Sequence, residues 1–164
     1  MSHALAGARG DVEDRDAVLR DAQAWAAGLG CDVLLADASV VFGREHLESA
    51  ALHAERARDA KLMATRSVAM EALLYLAAQR QVADAIRLAG IRESTRTVAV
   101  VVFGEGPVDD LIGRLGWSRD DGVLDSQGKD LSVLGIKAAE RGTVPDDRIV
   151  DLALERTALL DVLK

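Results

Sequence analysis

The sequence predicts a single α+β domain (α/β in the broad sense), in which a small central β-sheet is packed with about six to seven helices. The chain has 164 residues, which is enough for one domain with a sizeable core. Residues 97–103 (TVAVVVF) are apolar and mostly β-branched without alternation, which indicates a central strand buried on both faces. Helical and strand patterns alternate along the chain, and no linker divides residues 1–164.

The N-terminal part is predicted to contain two helices and one or two strands. The first ten residues are either an opening strand or a loose arm. A helix begins at Asp14 or Asp16 and ends at the glycines that follow it. Residues 31–36 then form a short buried strand, and a second amphipathic helix covers residues 44–58.

Residues 65–90 are predicted to form two short amphipathic helices joined by the polar sequence Gln79-Arg80-Gln81. Ser67 is the expected N-cap of the first helix, because its side-chain oxygen can accept from a free backbone N–H. Gly90 is expected to supply the left-handed residue that ends the second helix.

Beyond the central strand, the sequence predicts a helix after Pro107 and an edge strand at residues 123–124. Asp130 is the expected cap of a helix over residues 131–142, and Pro145 precedes the last helix. The predicted inward face of that last helix consists of Ile149, Leu152, Ala153, Arg156, Leu159, Leu160 and Leu163.

The composition excludes several classes of protein. The net charge of −7 argues against indiscriminate coating of nucleic acid, which depends on phosphate neutralisation. The charge is uneven, since residues 44–96 carry +2 and the remainder −9. One cysteine forms no internal disulfide, and no apolar run approaches the roughly 20 residues of a membrane span. We therefore expect a cytoplasmic protein without membrane association.

The sequence offers no strong catalytic or metal site. His46 and His53 lie seven residues apart on one helix, about 10 Å along its axis, so both are expected to be surface histidines. Cys31 is expected to be a small buried hydrophobe. Gly104-Glu105-Gly106 lies where phosphate loops lie, but Glu105 would repel an anion, so a plain turn is favoured. No catalytic residue, metal ligand or cofactor is predicted.

Gln79-Arg80-Gln81 is the most informative candidate for binding. It combines two amides with a guanidinium, groups that suit base edges and phosphates of single-stranded RNA. The alternative is that Arg80 only binds carbonyl groups at a helix end.

The pattern of Met70-Glu71, Gln79-Arg80-Gln81-Val82 and Ala85-Ile86 resembles the small TPRKB-type accessory subunit of the KEOPS complex, in its archaeal type. The likeness extends from residues 7–10 through residues 36–41 to residues 154–160. The chain departs from the family at Ala77-Ala78, where the family usually carries Ser-Gly.

The resemblance implies a non-catalytic subunit in the synthesis of threonylcarbamoyl-adenosine on tRNA. Such a subunit docks on the KEOPS kinase/ATPase subunit, stimulates it, binds the single-stranded 3′ CCA end of tRNA, and meets the threonylcarbamoyl-transferase subunit only indirectly. Carried onto this sequence, the RNA-binding residues are Arg66, Ser67, Gln79, Arg80 and Gln81, with Lys61 added on charge alone. For the kinase contact we look for an apolar surface, and the last helix offers more apolar side chains than its core face requires. On that ground the expected kinase-binding residues are Arg156, Leu159, Leu160 and Leu163, with core packing of each leucine as the alternative.

A second hypothesis is a small enzyme or ligand-binding domain. Its pocket would lie at the carboxyl end of strand 97–103, where open sheets place their sites. A nucleic-acid coat protein is a distant third hypothesis because the chain is acidic.

Overall fold

The computed structural model describes residues 2–163 and places a four-stranded sheet at the centre of the domain. The strands are β1 (His3–Arg9), β2 (Asp32–Asp37), β3 (Thr97–Phe103) and β4 (Ser118–Arg119). They lie in the order β2-β3-β1-β4, and each neighbouring pair is antiparallel. β3 is an inner strand with six buried residues of seven, as its sequence predicts.

Seven α-helices surround this sheet within the described residues, which confirms the predicted α+β fold class. Helix α3 (Val68–Ala77) begins after Ser67, the predicted N-cap, whose Oγ accepts from the N–H of Met70 at 3.1 Å. The helices are α1 (Arg15–Leu29), α2 (Arg44–Asp59), α3 (Val68–Ala77), α4 (Val82–Ala89), α5 (Val108–Arg114), α6 (Ala138–Arg141) and α7 (Ile149–Leu163).

Helices cover both faces of the sheet, because alternate residues of β3 point to opposite sides. Val101 and Phe103 pack in a large core with α2, α3 and α4, and Leu160 of α7 joins the same core. Val100 and Val102 pack in a second core with α1 and α5. The two layers explain why β3 is apolar along its whole length.

The helix pair α3–α4 ends differently from the sequence prediction. Gly90 is extended, with φ of −69°, so the expectation of a left-handed residue there is wrong. Gly90 instead forms a β-bridge with Ala36, and a Cβ at this position would lie 2.6 Å from the carbonyl oxygen of Ile86. Close backbone packing, rather than backbone angle, favours glycine at this position.

The C-terminal third contains two further corrections. Residues 121–124 form a 3₁₀ turn, and the short edge strand is β4 instead of residues 123–124. The predicted helix over residues 131–142 is divided into a 3₁₀ turn and α6, because Gly135 between them is left-handed with φ of +75°. No helix within residues 2–163 is long and apolar enough to cross a membrane.

Candidate functional site

The six predicted RNA-binding residues lie at opposite ends of α3. Lys61, Arg66 and Ser67 precede the helix, whereas Gln79 to Gln81 follow it. A ten-residue helix is about 15 Å long, so the structure separates the six residues into two groups.

The residues before α3 are fixed by a buried carboxylate. The side chain of Glu71 is fully buried and accepts hydrogen bonds from the N–H groups of Ala64 and Thr65, each at 3.0 Å, and from the Thr65 hydroxyl at 2.8 Å. These bonds hold the loop between α2 and α3, and they leave the cationic side chains of Lys61 and Arg66 exposed.

The residues after α3 are less constrained. Ala78 adopts the left-handed conformation, with φ of 53° and ψ of 43°. This is where the resembled family carries glycine, so alanine here retains the turn at a cost in backbone strain. Within residues 2–163, the side-chain amides of Gln79 and Gln81 make no hydrogen bond, which leaves them available to a ligand.

Arg80 connects this group to the last helix. Its Nη1 donates to the carbonyl oxygen of Leu163 at 3.3 Å. This contact agrees with the alternative that Arg80 binds a helix-end carbonyl, but the side chain is exposed and retains further N–H donors. The predicted RNA group and the predicted kinase-binding helix are therefore adjacent.

The predicted kinase-binding residues of α7 divide between surface and core. Leu159 and Leu163 are 45% and 58% exposed, so the expectation that they face inward is wrong and their place on a docking surface stands as a prediction. Leu160 is 1% exposed and packs in the large core, which corrects its assignment to a docking surface. Val162, which sequence reasoning missed, is 80% exposed.

Arg156 is bound within the chain. Its guanidinium donates to the Glu140 carboxylate at 2.6 Å and to the carbonyl oxygen of Gly135 at 3.4 Å. Arg156 therefore ties α7 to α6, and it would have to exchange these partners in order to bind another protein.

An apolar groove at the outer edge of the sheet was also missed by sequence reasoning. It has a volume of about 320 Å³ and lies between β2, α1, α3 and α4. Ser67 stands on its rim beside Met70, Leu73 and Ile86. No single segment of the sequence predicts this groove, because its walls come from different helices. Ser67, Met70 and Leu73 belong to α3 or its cap, whereas Ile86 belongs to α4.

The two histidines of α2 are not the surface residues that the sequence predicts. His46 is fully buried, and its Nδ1 accepts from the N–H of Phe42 at 3.1 Å. Burial lowers the pKa of His46 to about 4, so the ring is neutral at pH 7. His53 is half-buried and lies 2.7 Å from Asp161 through its Nδ1.

The carboxyl end of β3, where the alternative hypothesis places a pocket, is packed. A Cβ on Gly106 would lie 2.8 Å from Trp25 and 2.9 Å from the sulfur of Cys31, so side chains fill the space. Burial raises the pKa of the Cys31 thiol, which is the wrong direction for a nucleophile. Within residues 2–163, no group of three His, Cys, Asp or Glu side chains is placed to hold a metal ion.

Comparison with known proteins identifies the family. No curated protein matches the sequence. Residues 11–123, well over half of the chain, match the family described as kinase binding protein CGI-121. The match includes the predicted RNA-binding residues at both ends of α3 and the groove beside β2, but it ends before α7. The archaeal type of the family stays a prediction. This match agrees with the resemblance seen in the sequence, and the chain belongs to the kinase binding protein CGI-121 family.

Proposed function

We propose that this protein is a non-catalytic subunit of a KEOPS-type complex that makes threonylcarbamoyl-adenosine on tRNA. It binds the single-stranded 3′ CCA end of tRNA, and it docks on and stimulates the kinase/ATPase subunit. Membership of a kinase-binding family supports the docking role. The packed end of β3 supports a binding role over an enzymatic one.

The observation that carries the RNA-binding role is the polar group between α3 and α4. Two unpartnered amides and an exposed guanidinium lie within three consecutive residues, Gln79 to Gln81. Amides can pair with base edges, and a guanidinium can pair with phosphate oxygens through parallel N–H groups. The local net charge of +2 over residues 44–96 favours RNA on this part of an otherwise acidic protein.

The test compares intact tRNA with the same tRNA lacking its CCA end, at fixed salt. We expect wild-type protein to bind the intact tRNA more tightly, and Arg80→Ala to lose roughly tenfold or more, since one charge-assisted hydrogen bond is worth about 1.5–3 kcal/mol. Arg20→Ala is the matched control, because Arg20 is exposed on α1, which packs against the other face of the sheet. Equal binding of both RNAs, with no effect of Arg80→Ala, would refute this role.

The exposed leucines of α7 support a docking surface for the kinase subunit. Leu159 and Leu163 lie four residues apart and therefore share one flank of the helix, with Val162 beside them. We expect Leu159→Asp to abolish co-purification with the kinase subunit. Leu29→Asp is the control, because Leu29 is similarly exposed at 51% but lies at the end of α1. Loss of binding in Leu29→Asp alone would place the interface on the opposite face of the sheet.

A further inference from the structure

A second cavity lies on the other flank of α7. It has a volume of about 380 Å³ and opens between the C-terminal half of α2, the loop after it and α7. Ala60 and Leu62 supply apolar walls, and Leu62 is 72% exposed at the rim. We call this site the α2–α7 cavity. The role proposed above does not use it.

Three polar side chains form a connected cluster in the cavity wall. His53 Nδ1 lies 2.7 Å from Asp161 Oδ2, and the Tyr75 hydroxyl donates to the other oxygen of Asp161. The rings of His53 and Tyr75 stack with their centroids 5.0 Å apart. Because Asp161 accepts from Nδ1, the remaining polar atom of the His53 ring is Nε2, and it has no hydrogen-bond partner within residues 2–163.

Arg56 adds a positive charge to the same cavity. Its side chain is exposed and, among the residues that the structure describes, has neither an ion pair nor a hydrogen bond. This distinguishes it from Arg58 on the same helix, which is paired with Asp59. A guanidinium with free donors at the mouth of a cavity suits an anionic group of a ligand.

The charges select the class of ligand. A simple anion would meet Arg56 but also the carboxylate of Asp161, which repels it. A ligand that carries both one anionic group and N–H donors satisfies Arg56, Asp161 and His53 together. A nucleotide has these features, because its phosphate is anionic, its base carries amino hydrogens, and its ring has apolar faces that pack on Leu62 and Ala60.

The size of the cavity agrees with this assignment. Ligand pockets commonly have volumes of about 300–1,000 Å³, and this one is near the lower limit, as expected for a single nucleotide. Asp161 and Leu159 are two positions apart on α7, about 200° around the helix, so a partner on the leucine flank leaves the cavity open.

We propose that the α2–α7 cavity binds one nucleotide, with the phosphate on Arg56 and the amino group of the base on Asp161. The nucleotide is either free or an unpaired residue of RNA; for the RNA source, the inference rests on the proposed function. The cavity adjoins the first group of predicted RNA contacts, because Ala64 in its wall lies two residues before Arg66.

The experiment titrates the full chain with adenosine 5′-monophosphate at millimolar concentration and follows backbone amide shifts by NMR. We expect shifts at residues 56–64 and at Asp161. Arg56→Ala should weaken this binding at least fivefold and should leave the response to adenosine, which has no phosphate, unchanged. Arg20→Ala is the control arginine. Because Arg56 is exposed, its replacement preserves the fold.

The two sources of the nucleotide are separated by repeating the tRNA measurements with Arg56→Ala. If Arg56→Ala weakens both the monophosphate and intact tRNA, the cavity receives an RNA nucleotide. If it weakens the monophosphate while no tRNA binds to the wild type, the site takes a free nucleotide and the RNA role fails. If the cavity residues do not respond to the monophosphate and Arg56→Ala binds tRNA as the wild type does, the inference is overturned, whatever Arg80→Ala shows.

Discussion

At the N-terminal end of α3 the Ser67 hydroxyl and two carboxylates are bonded to the backbone, whereas two side-chain amides at its C-terminal end have no hydrogen bond within residues 2–163. Ser67 accepts from Met70, and the Asp32 carboxylate accepts from the N–H of Ala69 at 2.9 Å. At the other end, Gln79 and Gln81 have no side-chain hydrogen bond within residues 2–163, and the fully buried ring of His46 lies at the backbone of Leu76 in the last turn.

This difference indicates that the two ends of α3 have different roles, stability at the N-terminal end and ligand binding at the C-terminal end. A group that is already bonded must exchange a partner in order to hold a ligand, so its net gain is small. A group without a partner gains the whole interaction. We therefore expect changes at the bonded residues of the N-terminal end to alter mainly the free energy of unfolding, and changes at residues 79–81 to alter mainly the affinity for RNA.

The largest effect is expected from Glu71→Ala. Removal of this carboxylate leaves the N–H groups of Ala64 and Thr65 without their fully buried acceptor, whereas the Thr65 hydroxyl keeps the carbonyl oxygen of Ser67, 2.9 Å away. Each such N–H group costs about 1–3 kcal/mol, so we expect the free energy of unfolding to fall by about 2–6 kcal/mol. Urea denaturation measures this change as a lower midpoint.

Glu13→Ala is the control for Glu71→Ala, because Glu13 is exposed and its side chain has no hydrogen bond among the described residues. Its effect should lie within about 0.5 kcal/mol of zero. A midpoint of Glu71→Ala equal to that of the wild type would mean that the loop before α3 does not depend on the carboxylate, and the contrast between the two ends of α3 would be lost.

Local features of this region could be predicted from sequence because their causes are local. The apolar run of β3 indicated a buried inner strand, and Ser67 before an amphipathic pattern indicated the N-cap, and the structure confirms both. In this region the family resemblance rests on residues 70–86, and the match over residues 11–123 confirms the family; the further similar segments 7–10 and 154–160 lie outside that match.

Features that depend on distant residues could not be predicted. The bond from Arg80 to Leu163 joins residues 83 positions apart. The periodicity of α7 shows that Leu159, Leu160 and Leu163 lie near one another, but only packing against α2 and α3 decides that Leu160 is buried and the others exposed. The α2–α7 cavity likewise needs α7 beside α2.

The next largest effect is acid sensitivity at the C-terminal end, from His46. Burial lowers the pKa of this histidine from 6.5 to about 4. Above pH 6.5 the ring is neutral in both states. As the pH falls from 6.5 to 4, the unfolded chain takes up the proton first, so the free energy of unfolding decreases by about 3 kcal/mol.

The variant His46→Asn tests this assignment. Its side-chain oxygen can accept from the N–H of Phe42 in place of Nδ1, and it does not titrate. Exposed carboxylates such as Asp120, whose pKa the Arg9 guanidinium lowers, contribute to acid sensitivity in both proteins, so the comparison uses the difference between the two. We expect the urea midpoints of the wild type and of His46→Asn to converge as the pH falls from 7 to 4. If the two midpoints fall in parallel with pH, His46 is excluded as the source of the acid sensitivity.

The smallest effect is expected from Ala78→Gly, and it has the opposite sign. The left-handed conformation of Ala78 costs roughly 1–2 kcal/mol, and glycine removes this strain but increases the entropy of the unfolded chain. We expect a net gain of about 0.5–1 kcal/mol, measured by urea denaturation. Ala83→Gly, on the exposed side of α4, should instead lower the free energy of unfolding by about 1 kcal/mol.

Because the turn before Gln79 is already left-handed with alanine, the tRNA affinity of Ala78→Gly should equal that of the wild type. A marked gain in affinity would show that the alanine limits how residues 79–81 meet RNA.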